Sequence, residues 1–199
     1  MSDAPTTHLE GALQDAARVL SAFMADDALL AAVLRFAQEA EATLRRGGTL
    51  LSCGNGGSMC DAMHFAEEWT GRFRGDRSAQ PAIAFADAAR LSCTANDMGY
   101  EEVFAREVQA FGKEGDLLLA ISTSGQSPNV LRACAEAQKR GLIVVGLLGN
   151  GGGEMASIVD IPIVVPMATT SDRIQEMHIK VIHMTIELVE RQMFPENYA

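Results

Sequence analysis

The sequence has few basic residues for its acidic content. Its 199 residues include 16 Lys and Arg against 26 Asp and Glu, which gives a formal net charge of −10. Nucleic acids and anionic membranes attract basic surfaces, so this balance argues against both as partners. It does not argue against a small anion, because helix N-termini and free backbone amides can bind one locally.

Long apolar runs are also missing. No stretch approaches the roughly 18 apolar residues of a membrane span. The first residues lack the basic region followed by an apolar region that marks a secretory signal. We therefore expect a cytoplasmic protein with no membrane partner. Its length and its ordinary composition, 48% hydrophobic and 21% charged, suit a single domain over residues 1–199.

Cysteine is scarce and shows no paired pattern. The four cysteines, Cys53, Cys60, Cys93 and Cys134, have no CxxC spacing. This usage is typical of reduced thiols in a cytoplasm. We expect all four to be small buried hydrophobic residues.

What the sequence does contain is an alternation of helical and strand-like patterns. An Ala- and Leu-rich segment at 8–46, interrupted near 25–27, predicts a helical hairpin with Asp26 as an N-cap and Gly47-Gly48 as a stop. Short apolar runs predict strands at 49–53, 82–86, 116–122, 142–148 and 160–165. Further helical patterns lie at 58–72, 99–111, 128–140 and 172–193. This alternation indicates an α/β fold, a three-layer sandwich with a five-stranded parallel sheet and added N-terminal helices.

The first strand ends in a glycine-rich junction, SCGNGGSMCD at 52–61. In parallel α/β sheets the ligand sits outside the carboxyl ends of the strands, at the point where the strand order reverses. The three glycines and Asn55 let the backbone approach a ligand closely and adopt positive φ. The segment is neither a Walker A loop, since it has no Lys, nor a GxGxxG motif.

A second junction, ISTSGQSPN at 121–129, concentrates four hydroxyls. They belong to Ser122, Thr123, Ser124 and Ser127. Ser127 is a plausible N-cap and Pro128 a good first residue of the following helix. Hydroxyls and free amides around the positive end of a helix predict a phosphate site that uses no Lys or Arg. The alternative is that Ser127 only caps the helix and the other hydroxyls fill a polar turn.

Two helical segments carry candidate acid, base or metal groups. His64 and Glu68 are four residues apart and therefore share a face. Gln175 and His183 are eight apart, about 12 Å along a helix, so they could reach one metal ion only by leaning toward each other. Each pair has a simpler interpretation. His64 and Glu68 suit a surface pair, and Gln175 suits a capping box with Asp172. We interpret His178 as structural.

Taken in order, these motifs resemble a known family. CGNGGS, DAMHFAEE, AND, ISTSGQSPNV, GGGEMA and DRIQEMHIKVIH are similar to the sugar isomerase (SIS) domain family over about residues 8 to 194. The resemblance implies flavodoxin-like strand order, a homotetramer and sites built at subunit contacts. It also implies a metal site at His64, Glu68, Gln175 and His183, with zinc as the usual ion. The implied substrate pocket is lined by Asn55, Gly56, Gly57, Ser58, Asn96, Asp97, Ser122, Thr123, Ser124 and Ser127.

The resemblance further implies an aldose–ketose isomerase that acts on a seven-carbon sugar phosphate. The expected reaction interconverts sedoheptulose 7-phosphate and D-glycero-D-manno-heptose 7-phosphate through an enediol. It would supply heptose for lipopolysaccharide core or another surface glycan. Such a reaction needs a base and an acid, for which we assign Glu68 and His183. Gln175 and Asp172 would contact the substrate, although Asp172 could equally be only an N-cap.

Zinc could polarise the carbonyl. However, a base held by a metal is a weaker base. The alternative is that the metal holds the resting site and a ligand leaves it when substrate arrives.

Two other functions fit the same motifs. One is a non-catalytic relative that keeps the fold and binds the bacterial replication initiator, as one protein of this fold does. Such a protein would not need Glu68 and His183. The other is an isomerase or binding domain for a different phosphosugar, because the sequence defines the phosphate end of the substrate better than the sugar end.

Overall fold

A central parallel sheet organises the chain in a computed structural model that describes residues 4–199. Its strands are β1 (Leu50–Gly54), β2 (Ala82–Ala84), β3 (Leu117–Ser122), β4 (Ile143–Leu148) and β5 (Ile161–Val164). The strand order is β2-β1-β3-β4-β5, and every pairing is parallel. This is the 2-1-3-4-5 order of flavodoxin-like sheets, in which the order reverses between β1 and β3. The predicted five-stranded parallel sheet is confirmed.

Helices cover both faces of the sheet. They are α1 (Ala4–Met24), α2 (Asp27–Arg45), α3 (Gly57–Thr70), α4 (Ala88–Met98), α5 (Val103–Phe111), α6 (Pro128–Lys139), α7 (Met155–Ile158) and α8 (Ser171–Met193). One core cluster lies between the sheet and α1, α2, α3 and α8, and it includes Phe36, Phe65 and Trp69. The other lies between the sheet and α5, α6 and α7, and it includes Phe104 and Cys134. The result is the expected three-layer sandwich.

The break between the first two helices lies where the sequence predicts it. The Asp26 carboxylate accepts hydrogen bonds from the backbone amides of Ala28 and Leu29, at 3.0 and 3.1 Å. This cap satisfies two of the amides that a helix start leaves without a partner. At the other end, α2 stops at Arg45, and Gly47 adopts a φ of +79° that favours glycine.

Two predictions of local structure are wrong. Helix α4 was not predicted; none of its residues is fully buried, and Leu91 and Ala95 pack against the second core cluster while partly exposed. Its start is set by Asp87, which accepts a hydrogen bond from the Arg90 amide. At α8 the N-cap is Thr170, which makes Asp172 the second helical residue. Asp172 is therefore no N-cap, and the capping box with Gln175 does not form.

Membrane insertion finds no support in the helices. None of the helices in residues 4–199 is both long enough and apolar enough to cross a bilayer.

The prediction about cysteine burial is half right. Cys53 and Cys134 are buried, whereas Cys60 and Cys93 are exposed, and all four are free thiols.

Candidate active site

The hydroxyls at the end of β3 form one connected cluster, which we call the serine loop (residues 122–127). The Ser122 hydroxyl lies 3.0 Å from that of Ser127 and 3.4 Å from that of Ser124. It also accepts from the Gly125 amide, and the Ser124 hydroxyl accepts from the Gln126 amide. The side chains thus fold inward around the N-terminus of α6, which supplies partial positive charge. This arrangement suits an anion bound by neutral donors.

Ser127 and Pro128 start α6 as predicted, but the Ser127 side chain has a different partner. Ser127 is the N-cap residue by position, and Pro128 is the first helical residue. Within the described part of the chain, the Ser127 hydroxyl makes no cap hydrogen bond to the helix. It faces Ser122 instead. Pro128 has no backbone N–H, and the Val130 amide donates to the Ser127 carbonyl oxygen at 3.0 Å, so the Asn129 amide is the one in this turn that is left for a ligand.

Gly125 shapes the loop by close contact with the segment after β4. Its φ is +62°, and a Cβ placed there would lie far inside contact distance of the Gly152 carbonyl oxygen. The Gly125 carbonyl also accepts from the Met155 amide at 3.1 Å. Any side chain at this position would push the two loops apart and open the serine loop.

The glycine loop (residues 54–58), at the end of β1, is joined to the serine-loop helix by a pair of side-chain amides. Asn55 Nδ2 donates to Asn129 Oδ1 at 2.9 Å, and Asn129 Nδ2 donates to Asn55 Oδ1 at 2.8 Å. The Tyr100 hydroxyl donates to the same Asn55 oxygen at 3.0 Å. Adjacent strands β1 and β3 thus present their two loops side by side at the switch point, as the fold rule predicts.

Helix α8 adds a third N-terminus to this edge. The Thr123 hydroxyl lies 3.2 Å from that of Ser171, the first residue of α8. Gln175 packs directly on Gly57, where a Cβ would come within 2.6 Å of its amide nitrogen. Glycine at position 57 therefore lets α8 approach the start of α3. The polar edge is built from the first turns of α3, α6 and α8.

Farther along α3 and α8 lies the His–Glu–His cluster, formed by His64, Glu68 and His183. His64 Nε2 is 3.1 Å from Glu68 Oε1 and 3.2 Å from His183 Nε2. One ligand atom from each residue lies within 4.8 Å of the other two. The cluster combines an imidazole from α8 with an imidazole and a carboxylate from one face of α3. Three of the four predicted metal positions therefore meet.

The fourth predicted metal position, Gln175, lies at another level. It contacts Gly57, which is seven residues before His64, or about 10 Å along α3. Gln175 and His183 are separated by a similar distance along α8. In this chain Gln175 faces the glycine loop, as a substrate-contacting residue would.

The environment lowers the pKa of His183. Partial burial is the main cause, and the nearby imidazole of His64 acts in the same direction, whereas Glu68 opposes it. Lys180 and Arg74 lower the pKa further. At neutral pH the His183 imidazole is therefore mostly neutral, with one ring nitrogen as a donor and the other as an acceptor. A neutral imidazole is also the form that binds a metal ion.

The cluster fits zinc by its chemistry and spacing. Two imidazole nitrogens and a carboxylate oxygen are common zinc ligands. With bonds of about 2.1 Å, ligands of a tetrahedral ion lie about 3.4 Å apart, close to the 3.1 and 3.2 Å seen here. Three protein ligands would leave one position open, as in catalytic zinc sites. These residues can hold a metal, and Glu68 and His183 can also handle protons.

Three other predicted site residues are exposed near the ends of helices. Asn96 and Asp97 are exposed at the end of α4, where Asn96 Nδ2 donates to Asp97 Oδ1 at 2.7 Å. Asp172 is exposed at the start of α8. Its pKa is lowered by a hydrogen bond from the Thr170 side chain and then by the amide of Arg173. The Asp172 carboxylate is therefore charged at neutral pH, and Asp97 and Asp172 are both exposed.

Sequence reasoning missed three residues near these groups. Tyr100 and Asn129 link the two loops, and only Asn129, next to the SxSxxSP pattern, had a local signal. Asp61 lies one turn before His64 on α3. Burial raises its pKa to about 6, against the opposing effect of His64. Its Oδ2 is buried without a hydrogen-bond partner among the described residues.

His178 is structural, as expected. Its ring is fully buried, and Nε2 lies 3.2 Å from the Leu148 carbonyl oxygen. Burial lowers its pKa to about 4. His178 therefore stays neutral in the folded protein and takes no part in the cluster formed by His183, five residues later.

Known proteins match both the sequence and the fold. The SIS domain family model matches residues 13–149. A phosphoheptose isomerase of Proteus mirabilis is 52% identical over 185 residues, 93% of this chain and 96% of that protein. The structure of a phosphoheptose isomerase from Neisseria gonorrhoeae superposes with a TM-score of 0.88 at 33% identity, covering 94% of this chain and 99% of that one. One from Francisella tularensis gives 0.84 at 32% identity, covering 96% and 100%. The chain therefore belongs to the SIS domain family and, within it, to the phosphoheptose isomerases.

Proposed function

We propose that this isomerase interconverts sedoheptulose 7-phosphate and D-glycero-D-manno-heptose 7-phosphate through an enediol. The observation that carries the proposal is the meeting of His64, Glu68 and His183 in a chain that also presents the serine loop. A heptose 7-phosphate has its phosphate and its reacting carbonyl at opposite ends. It therefore needs an anion site and an acid–base site that are separated from each other. The product would serve as a precursor of heptose in lipopolysaccharide core or another surface glycan.

The serine loop binds the phosphate in this proposal. The hydroxyls of Ser122, Ser124 and Ser127 and the Asn129 amide at the start of α6 would donate to its oxygens. Thr123 and the glycine-loop residues Asn55, Gly56, Gly57 and Ser58 would line the adjoining sugar site. Gln175, Asn96, Asp97 and Asp172 would bind sugar hydroxyls. The use of neutral donors is consistent with an acidic protein.

Glu68 and His183 carry out the proton transfers. Glu68 takes the proton from C1 of the ketose, and His183 Nε2 gives a proton to the oxygen on C2, which yields the enediol. Return of the first proton from Glu68 to C2 and loss of the O1 proton to His183 complete the aldose. His183 is suited to this exchange because its lowered pKa makes it an easy proton donor when charged and an acceptor when neutral.

We propose zinc as the metal, held by His64, Glu68 and His183, with Gln175 left to the sugar site because it packs on Gly57. When bound, it supplies a positive charge that stabilises the oxyanion developing on the substrate. A carboxylate that binds a metal is a weaker base. We therefore expect Glu68 to leave the metal, or to use its second oxygen, when it takes the proton. A ring nitrogen bound to a metal carries no proton, so we also expect His183 to leave the metal before its Nε2 protonates the substrate oxygen.

The active assembly in this proposal is a homotetramer of single-domain chains in the cytoplasm, with sites at subunit contacts. Residues 8–46 form the helical hairpin of that domain. Leu9, Leu13, Leu30 and Leu34 on α1 and α2 are exposed, by 67, 72, 41 and 48%. Contiguous apolar surface of this kind marks an interface between subunits. Light scattering that showed a fully active monomer at micromolar concentration would contradict the assembly.

A direct assay tests the reaction. Purified protein is incubated with sedoheptulose 7-phosphate and, separately, with an amino-sugar 6-phosphate, and the aldose is followed by NMR. We expect the heptose aldose to appear and the amino sugar to stay unchanged. Conversion of the amino-sugar phosphate alone would favour another phosphosugar as substrate. No conversion of either by folded, zinc-loaded protein would overturn the proposal and favour the non-catalytic binding function.

A further inference from the structure

The segment after α3 brings an aromatic ring to the active site. Residues 71–80 contain neither helix nor strand, and we call them the 71–80 loop. The Phe73 ring packs against the His183 imidazole, with centroids 5.7 Å apart and planes at 41°. Within residues 4–199, the loop makes hydrogen bonds between backbone groups only through the Gly71 and Gln80 amides, at its two ends. Side-chain contacts must therefore set the path between them.

A buried arginine anchors the loop to both helices of the cluster. The Arg77 side chain is 0% exposed, and its Nε donates to Glu190 Oε1 at 2.7 Å. Its other nitrogens donate to the carbonyl oxygens of Glu68 and Trp69, at 2.6 and 2.8 Å. These are carbonyls of the last turn of α3, which a cation stabilises. Glu190 lies seven residues after His183, on the same face of α8. Arg77 thus links the end of α3 to α8 beyond the cluster.

Residues 194–198, which we call the strap, close over this arrangement. The Tyr198 hydroxyl donates to Glu190 Oε2 at 2.9 Å, the carboxylate oxygen that Arg77 Nε leaves free. Burial first, and then the Glu190 carboxylate, raise the pKa of Tyr198 to about 12, so the hydroxyl stays protonated and donates. The Phe194 ring lies 5.8 Å from the Arg77 guanidinium carbon.

The strap also grips the loop directly. Asn197 Nδ2 donates to the Asp76 carbonyl oxygen at 3.1 Å. The same side chain lies where a Cβ of residue 75 would be, 2.5 Å from Asn197 Cγ, so Gly75 is needed for this contact. Asn197 of the strap thus holds residues 75 and 76, and Phe194 of the strap lies over Arg77.

We propose that the strap is a positioning element for the isomerase reaction, acting through the 71–80 loop and Phe73 on His183. Tyr198 and Asn197 hold the loop, the loop holds Phe73 against the imidazole, and Phe73 keeps His183 directed at His64 and Glu68. Without the strap, Phe73 would leave the ring and water would replace it. His183 would then sample positions that do not meet the cluster. This inference rests on the proposed function of His183.

A double-mutant cycle tests the route of the effect. We expect Tyr198→Ala to lower kcat by about tenfold or more, as misplacement of a reacting group does, and to leave KM within about twofold because the serine loop is untouched. In a Phe73→Leu background the same change should cost less than about twofold more, because coupled residues are not additive. Independent, multiplicative losses in the two backgrounds would overturn the proposal. Glu196→Gln, an exposed change in the same strap, is the control and should leave kcat unchanged.

A spectroscopic measurement judges the strap without the reaction. The protein has four histidines, so ring signals of 13C-labelled histidine can be assigned with a His183→Gln variant. Tyr198→Ala should shift the His183 signals as Phe73→Leu does and leave those of buried His178 in place, which also shows that the variant is folded. Tyr198→Phe, which removes only the hydroxyl, should give a smaller shift in the same direction. If the His183 signals did not move in Tyr198→Ala and Tyr198→Phe, the strap proposal would be overturned. If the unaltered protein had no activity toward heptose phosphate, only the proposed function would be contradicted.

Discussion

The serine loop and the His–Glu–His cluster differ in how the chain assembles them. The serine loop consists of consecutive residues, and the contacts among its three serine hydroxyls join positions two to five apart. The cluster joins His64 and His183 across 119 positions. A change of backbone conformation within residues 122–127 would disrupt the serine loop. A small shift between α3 and α8 would disrupt the cluster. The comparison indicates that the proposed phosphate site depends on local structure and that the proposed proton-transfer site depends on helix packing.

The largest expected effects separate the two regions by function. Glu68→Gln keeps size and hydrogen bonding but cannot act as a base, and His183→Gln removes the titrating acid. Each should lower turnover by at least about a hundredfold, the lower range for a general acid or base. Affinity for the sugar phosphate should change far less, because the serine loop is intact.

Turnover, substrate affinity and zinc content measured together decide the roles. Near-native turnover in both variants would remove the cluster from catalysis and make Asp97 and Asp172 the next candidates. If added zinc restored the lost turnover, Glu68 and His183 would be metal ligands first and proton carriers second. Removal of zinc by a chelator from the unaltered protein should produce the same loss.

A comparison of His178 with His183 tests how burial changes the pKa of a histidine on α8. The unfolded His178 binds a proton near pH 6.5, and the folded residue only near pH 4. Stability from neutral His178 is thus present above about pH 6.5 and is lost as the pH falls toward 4. By about pH 4, the free energy of unfolding has fallen by on the order of 3 kcal/mol for this reason.

Urea unfolding of the parent and of His178→Gln across pH 4–7.5 measures this difference. The variant should be less stable at neutral pH because it disturbs a packed core, and its stability should fall less steeply on acidification. Equal slopes for the two proteins would show that folding does not lower the pKa of His178. His183→Gln, on the same helix but half-buried, is the matched comparison.

A smaller effect is expected in the serine loop. Ser124→Ala should weaken binding of the sugar phosphate by about 1–2 kcal/mol, the scale of a hydrogen bond to a charged group. Turnover at saturation should stay near that of the parent. Calorimetric titration with substrate or with inorganic phosphate gives the affinity. Unchanged affinity in the folded variant would remove this loop from the phosphate site.

The smallest effect concerns the link between the two loops. Tyr100→Phe removes the hydroxyl that donates to Asn55, while the Asn55–Asn129 pair remains. We expect substrate affinity to fall by about 1 kcal/mol, the usual worth of one neutral hydrogen bond. Asn129→Ala, which breaks the amide pair, should cost more. If Tyr100→Phe proved the more damaging change, Tyr100 would contact the substrate itself.

Local patterns were sufficient for most of the architecture. The strands are continuous apolar runs with sharp boundaries, so β1, β3 and β4 start and end within one residue of the predicted positions. Asp26 was predictable as a cap because its partners are two and three residues away. Helix α4 was missed because it has no fully buried residue and only Leu91 and Ala95 pack on the core, which is a short apolar signal. At α8, Thr170, Ser171 and Asp172 are all good caps, and only packing selected Thr170.

The sequence alone determined the fold class, because the alternation of apolar runs and helical patterns extends along the whole chain. It also determined the serine loop and the candidates His64, Glu68 and His183, because each is marked by residue spacing within one segment. Tertiary structure decided which of them meet. It brought His183 to His64 and placed Gln175 against Gly57 instead. It also tied Asn55 to Asn129 and Tyr100, and set Phe73 against His183. The physical reason is that side-chain hydrogen bonds and ring contacts require distances of a few ångströms. Between α3 and α8, such distances follow from how the two helices pack on the sheet, which no periodicity in either helix encodes.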